Sequence, residues 1–435
     1  MKLYRWVLWR TVRTKRFLIA VVLLVLCMLW SGLDSMGLLD RFSYSSSVMA
    51  ASDQEDESLF QRNWEISNVF LRYSGEYSPQ KQQELELEYD VLNLMLRAAD
   101  YRWLLSQPGK YSASMLYDQE VLIPILAQCD TYSSFYASTE GVVEQAQRIR
   151  ENADAQDSYT EREAAMLLRA YDRHYPLPFY NTVPSVMLVH RYLNVNHRTV
   201  WLVFVVILVM GLMLCGLFSS EHETGSYMMV FSSVRGRGSL FAAKLAVAMT
   251  VAVFVSLLTI GIPALMLGIC YGGYQGLFAP VQTLSSTFGE DVTLRMCPFR
   301  LTNLEYLLLA AGIRTLILCF FAAVCVCCSV LAKKHRFALW CASGISAGLF
   351  VLAVYFNGGA DAYSQAASRQ GVSDMLRLVN PCGLLWPSAF FSDFDVTALG
   401  GYPVYRIWIA LLCTILSIVL LVLMSYFFYR RRSNA

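Results

Sequence analysis

The chain has 435 residues, of which 56% are hydrophobic and 16% charged, and 35 basic residues against 33 acidic ones leave a net charge of +2. A soluble domain carries about 25% charge, so an ordinary soluble protein is excluded, and near-balanced charge excludes the broad basic surface of a nucleic-acid binder. The 12 cysteines are too dilute in a chain of this length for a disulfide scaffold. The expected fold is an all-α polytopic membrane protein: six transmembrane helices with a mainly helical extracytoplasmic domain between the first and second.

Residues 1–16 carry Lys2, Arg5, Arg10, Arg13, Lys15 and Arg16 and no acid. Leu3, Trp6, Val7 and Arg10 share one face at helical spacing, which suits an amphipathic segment lying in a membrane interface. The first span follows at 17–33. Its apolar run, Phe17 to Leu33, is 17 residues long. A signal-peptide core is about 7–15, so a retained helix is expected.

The polar insert occupies 34–199. From Asp40 to Arg198 it holds 23 acidic and 14 basic residues, which leaves 10 acidic and 21 basic residues elsewhere. Ser78 with Pro79 opens a helix. Leu85, Tyr89, Leu92, Leu96, Ala99 and Trp103 then make a packing seam, and Gln107-Pro108-Gly109 ends it. Glu84, Glu86 and Glu88 read as a solvated face of that helix. Thr160 with Glu163 reads as a capping box for a helix to about His174, and Pro176, Pro178 and Pro184 mark an extended return to the membrane. Cys129 is the insert's one cysteine, so no disulfide can form within it. No Asn-x-Ser/Thr sequon occurs there, which agrees with a bacterial source.

The membrane part resumes at 200–356 with four spans. These are Val200 to Phe218, a stretch within Leu240 to Tyr271 broken by Pro263, Tyr306 to Ala332, and Phe337 to Phe356. A loop at 219–239 joins the first two. An outer loop at 357–406 has a possible re-entrant segment, and 407–435 holds the last span (Ile407 to Phe428) and a basic tail. Arg235 and Arg237, then Lys333, Lys334 and Arg336, then Arg430, Arg431 and Arg432 fall on the same side as residues 1–16 in a six-span layout. The positive-inside rule makes that side cytoplasmic, in a plasma (inner) membrane. Arg314 is the one ionisable residue well inside a span, either functional or snorkelling outward. Gly268-x3-Gly272-x3-Gly276 and Gly344-x3-Gly348 suit close helix packing, both within the chain in preference to between copies. Tyr271, Tyr274, Phe278, Phe390 and Phe391 read as an interfacial belt.

Several chemistries lack their residues. The single Gly-Lys pair, Gly109-Lys110, is followed by Tyr111, so no phosphate-cradling loop is present. His222-Glu223 begins a zinc-protease-like string, but Ser226 stands where its second His belongs. No metal site and no catalytic residue are expected. An ion-coupled carrier would need intramembrane acids that the spans do not have.

The loop from Glu221 to Lys244 combines a short apolar-faced helix pattern with a Gly-punctuated basic turn, a form suited to docking into a groove on a soluble partner. It resembles the inner loop of type-2 ABC transporter permeases. The matching residues are Glu221 or Glu223, Thr224-Gly225, Arg235 and Lys244, with Tyr227 and Arg237 beside them; the family's frequent Pro before the basic residue is replaced by Ser233-Val234. The elbow at 1–16, the stretch Arg377-Leu-Val-Asn380-Pro381 with Trp386-Pro387, and the tail Arg430-Arg-Arg resemble the same family in order. The resemblance implies a membrane-spanning permease subunit of an ATP-driven exporter, without a nucleotide site of its own. A cytoplasmic ABC ATPase would bind ATP and Mg and dock on the loop. A second permease copy or homologue would complete the path, and membrane lipid would surround it. Arg314, Pro263, Asn380 and Pro381 are the expected path residues. The alternative is a membrane sensor whose acidic domain binds a peptide or envelope ligand.

Overall fold

The computed structural model describes residues 2–42, 59–73, 75–98, 113–152, 158–171, 177–195, 199–223, 236–284, 294–357, 375 and 378–432. The fold is mostly helical, and six helices are long and apolar enough to cross a membrane. A short helix α1 (Lys2–Val12) turns into α2 (Lys15–Phe42). The polar insert contributes α3 (Leu59–Arg72), α4 (Pro79–Ala98), α5 (Ala113–Asn152) and α6 (Ser158–Tyr171). A short α7 (Val183–Leu188) continues as a π-helical turn, Val189–Leu193. The remaining helices are α8 (Val200–Leu214), α9 (Gly216–Glu223), α10 (Gly236–Cys270), α11 (Asn303–Leu331), α12 (His335–Asn357), α13 (Ser388–Phe391) and α14 (Arg406–Arg432).

Among the described residues, the buried apolar side chains form two large clusters. The larger joins the spans and centres on α11, which packs on α10, α12 and α14. A capping box sets where α11 begins: Thr302 Oγ1 accepts from Glu305 N at 3.2 Å, and Glu305 Oε2 accepts from Thr302 N at 2.8 Å. The smaller cluster belongs to the insert and joins Val69, Phe70, Leu85, Leu92, Leu122 and Ile125 among others. Tyr77 sits at its edge, against Tyr132 at 5.8 Å and Tyr136 at 5.9 Å between ring centres. The seam expected on α4 is present at Leu85, Tyr89 and Leu92; the side chain of Leu96, and Ala99, Trp103 and the stop at Gln107, lie outside what is described. Ser78 Oγ caps α4 by accepting from Lys81 N at 3.1 Å. Cys129 is fully buried, and burial pushes its thiol up to about 12, so it stays protonated and inert at neutral pH.

Four expectations need correction. Pro263 does not break α10, which runs through it from Gly236 to Cys270; neighbouring helices can hold a bundle helix whose proline removes one backbone bond. Thr160 and Glu163 lie inside α6, which starts at Ser158, before the start expected from that pair. Pro184 opens α7 rather than an extended strand, because its missing N–H is one of the donors that a helix start leaves free. Residues 183–195, expected in the polar insert, pack in the larger cluster with the spans. Among the described residues there is also one small antiparallel hairpin, β1 (Val396–Leu399) with β2 (Tyr402–Tyr405). Gly400 and Gly401 turn it at φ +59° and +80°, the left-handed pair that tight hairpins require.

The polar insert docks on the end of α10 through that helix's leftover carbonyls. Trp64 Nε1 donates to Ile269 O at 3.0 Å, and Ser67 Oγ donates to Tyr271 O at 2.7 Å. Gly272, at φ +71°, follows the helix, and Gly273 N donates back to Gly268 O at 2.7 Å, a Schellman closure. Trp64 lies over Gly272 and Tyr180 over Gly276, where a Cβ would meet the ring at 2.8 Å. Those two glycines therefore pack within the chain. On the insert's other side, Arg162 Nη1 donates to Gly401 O at 3.1 Å and its guanidinium lies 4.2 Å from the Tyr402 ring centre. Of the aromatics expected as a belt, Tyr271, Phe390 and Phe391 are instead buried, and Phe278 is exposed.

Asp118 on α5 lies 3.6 Å from Arg72 Nη1. Burial nevertheless holds its carboxyl above the usual range, outweighing the arginine. A raised carboxyl is favoured protonated, so its penalty appears as pH rises through the shifted value. Asp118→Asn should therefore gain thermal stability relative to the native chain between acidic and neutral pH. Melting curves of both proteins at each pH check this; a difference that stays flat or reverses contradicts it.

Candidate functional site

Helix α8 ends at Leu214, the chain turns at Cys215, and α9 carries it to Glu223. Ser329 of α11 stitches this corner. Its Oγ donates to Cys215 O at 2.8 Å and accepts from Phe218 N at 3.0 Å and Ser219 N at 3.2 Å. One hydroxyl thus serves the carbonyl at the end of α8 and the first free amides of α9.

Two charged contacts then fix α9 to other spans. Lys244, on the third turn of α10, pairs with Glu221 Oε1 at 2.6 Å, with side chains only 5% and 12% exposed. Its ammonium also stands 4.4 Å from the Phe218 ring centre, an added cation–π attraction. Glu223 Oε1 accepts from His335 N at 2.7 Å. That carboxylate sits at the first amide of α12, where a helix favours negative charge. The two glutamates therefore point at the spans and hold the base of the loop. Thr224, Gly225, Tyr227 and Arg235 lie outside the described residues. Arg237 lies in the first turn of α10, and its side chain is not described.

The basic segments meet at this end. Arg10 and Arg16 line one cavity with Glu221, Lys244 and His335. Tyr429, next to the C-terminal arginines, contacts Phe218 and Phe241 at 5.5 Å between ring centres. The polar insert meets α10 at Ile269, about 38 Å further along the helix at 1.5 Å per residue. The bundle therefore has a basic end and an insert-bearing end.

The expected path residues are dispersed through the core. Arg314 is 8% exposed and its Nη1 has no hydrogen-bond partner among the described residues, so it does not snorkel. It lines a small cavity with Arg191, Tyr192, Asn194, Thr199 and Thr259. Pro263 stands one turn beyond Thr259. Asn380 Oδ1 caps the 3-10 turn Pro381–Leu385 by accepting from Cys382 N at 3.0 Å, and its Nδ2 donates to Leu349 O at 2.9 Å. Pro381 is buried behind it. That turn packs on α11. Sequence reasoning missed Arg191 and Asn194. Asn194 clasps Ser388 in both directions, Nδ2 to Oγ at 2.8 Å and Ser388 N to Oδ1 at 3.2 Å. The apolar run Val183 to Val189 was the available signal that this segment enters the core.

A family model described as ABC-2 family transporter protein matches residues 8–433. The chain belongs to the ABC-2 transporter family. Searches of curated proteins and of solved structures return no match. The match spans nearly the whole chain, so the polar insert and the bundle both lie within an ABC-2 permease. Membership makes this chain a membrane transport subunit of an ABC transporter, a family that generally works with an ABC ATPase.

The Glu221–Lys244 pair gives a stability test for this permease. Removing one partner of a buried pair costs about 3–5 kcal/mol, because the other charge is stranded, whereas replacing both is far milder. Lys244→Met should therefore melt well below the native chain, and adding Glu221→Gln should recover most of the loss. Thermal unfolding of the detergent-purified permease decides it; additive losses would mean the pair carries no coupling.

Proposed function

We propose that this permease works in an ATP-driven exporter, where a separate cytoplasmic ATPase docks on the loop between α9 and α10. The carrying observation is that this loop springs from a base locked to three spans: α9 to α10 through Glu221–Lys244, to α12 through Glu223 and His335, and to α11 through Ser329. A loop so rooted transmits a push into the bundle. Thr224, Gly225, Tyr227, Arg235 and Arg237 would meet the ATPase, while Glu221, Glu223 and Lys244 hold the base. The chain has no phosphate-cradling loop, so ATP and Mg would be bound by the partner. ATP use moves the permease only if the ATPase pair interacts differently with its two states.

The same reading makes the basic end cytoplasmic and the acidic insert extracytoplasmic, in the plasma (inner) membrane of a bacterium. The domains are then the elbow at 1–16, the first span at 17–33, the insert at 34–199, the four spans of 200–356, the outer loop at 357–406 and the last span with its tail at 407–435. Arg314, Pro263, Asn380 and Pro381 are assigned to the path. A second permease copy or homologue would close it. Gly344 and Gly348 on α12 have open space where a Cβ would stand, which suits an approaching helix.

The tagged permease should bring an ABC ATPase with it from native membranes, and Arg235→Glu should lower that recovery at least tenfold, as loss of a central charged contact does. Intact cells give a second check. An impermeant maleimide should label Ser133→Cys on the insert directly, and Ser233→Cys only after permeabilisation. Labelling of Ser233→Cys from outside, or an Arg235→Glu variant with undiminished ATPase, overturns the docking assignment.

A further inference from the structure

A cavity of about 260 Å³ opens at the basic end between α1, the start of α2, α8, α9 and α10. Its floor is apolar: Val7, Leu212, Met213 and Leu217. Its rim is cationic, formed by Arg10, Lys15 and Arg16. Arg10 stands near Lys244 and Arg16 near His335. The one carboxylate in the lining, Glu221, is taken by Lys244 at 2.6 Å. Among the described residues, no carboxylate pairs with Arg10, Lys15 or Arg16. His335, 5% exposed on the back wall, has an Nδ1 without a hydrogen-bond partner among them. Three cations thus surround a space with no matching negative charge.

The surroundings specify the ligand further. The cavity lies where α1 presents Trp6 and Trp9 outward, both more than half exposed, as aromatic side chains do at a membrane interface. Arg10 and Arg13 lie over those rings, at 5.4 and 3.6 Å from the ring centres. Leading away from Arg16, α2 exposes Leu18, Ile19 and Val22. An apolar track therefore runs from the cationic rim along the bundle's outer surface. The volume is below the ~300–1,000 Å³ of pockets that enclose a drug-sized molecule. It suits a headgroup whose tail stays outside.

We propose that this cavity binds the phosphate-bearing headgroup of an anionic glycerophospholipid, with the acyl chains lying along α1 and α2. Arg10, Lys15 and Arg16 contact the phosphate, and the apolar floor takes the glycerol end. A zwitterionic headgroup would bring its own ammonium against three unpaired cations and is disfavoured. Because Glu221 and Lys244 share the cavity, a bound headgroup touches the base of the α9–α10 loop. The proposal rests on the reading of these helices as membrane spans, not on ATPase docking.

The test uses the full-length permease in nanodiscs of phosphatidylcholine doped with phosphatidylglycerol, followed by detergent exchange and mass-spectrometric counting of retained lipid per chain. The native chain should retain phosphatidylglycerol over phosphatidylcholine. Retention affinity should fall about fivefold for each cation removed, at about 1 kcal/mol per basic side chain near a lipid surface, so Arg10→Gln with Arg16→Gln should lower it some twenty-five-fold. Arg10→Lys with Arg16→Lys should keep most of it, which separates charge from misfolding. Arg431→Gln, a cation outside the cavity, should leave it unchanged. Inorganic phosphate should not displace the retained lipid. Equal retention of both lipids, an unaffected Gln variant, or full displacement by inorganic phosphate overturns the proposal. ATPase recovery plays no part in this readout, so failure here and failure of the docking assignment are separable.

Discussion

The buried pair between Lys244 and Glu221 governs how this bundle meets water at its basic end. A lone ammonium or carboxylate in an apolar layer is costly by several kcal/mol. Each of these two is tolerable only because the other is held within hydrogen-bonding distance. The pair lies at both roots of one loop, with Glu221 before it and Lys244 after it. The electrostatic requirement is therefore also a mechanical one: the loop's two stems cannot separate without exposing an unpaired charge. Glu223 repeats the logic with weaker stakes, trading a free carboxylate for the first amide of α12.

The opposite end of α10 is held by a different currency, neutral hydrogen bonds to backbone. A helix leaves its final carbonyls without internal partners, and in α10 side chains of the insert take them up, Trp64 at Ile269 and Ser67 at the following Tyr271. Ser67 is itself fixed by Asn181, whose Nδ2 donates to it at 2.9 Å, while Gln275 Nε2 donates to Ser67 O at 3.0 Å. The insert is thus joined to the same helix whose other end carries Lys244. Displacement of either end acts on one continuous element. That continuity depends on Pro263 failing to interrupt α10, and here a local rule gives way to packing.

Composition reveals the spans because the membrane imposes a length and an apolar content that few other contexts demand. The segregation of basic residues was readable for a similar reason, since it follows from cumulative charge and not from any one contact. Helix starts set by local chemistry, such as Ser78, were also within reach. What escaped was set by distant partners. Apart from the apolar run Val183 to Val189, nothing near Arg191 announces that residues 183–195 fold back among the spans, because the groups that hold them, Leu385 O and Ser388, come nearly two hundred residues later. The inward roles of Glu221 and Glu223 were hidden likewise: acids in a polar loop read as contacts for a partner, and only the fold reveals that Lys244 and His335 N claim them. The Gly400-Gly401 hairpin was different. Its signal, two β-rich runs around a Gly pair, is local, and the long apolar helices around it drew the reading away.

Arg314 sets the terms for the middle of the bundle. A guanidinium does not shed its proton in a protein, so burial at this depth cannot be relieved by neutralisation as it can for a lysine. Among the described residues, the wall it faces offers no carboxylate, a second cation in Arg191, and the polar groups of Tyr192, Asn194, Thr199 and Thr259. Those groups supply partial charges in place of a counter-ion, and partial charges are matched well only at one geometry. The two ends of α10 gain from staying as they are, whereas the seam around Arg314 leaves a charged nitrogen unbonded in the described packing. The bundle is thus clasped at both ends of α10, while the polar seam where Arg314 meets Thr259, Thr199 and the segment after α7 rests on dipoles alone at that nitrogen.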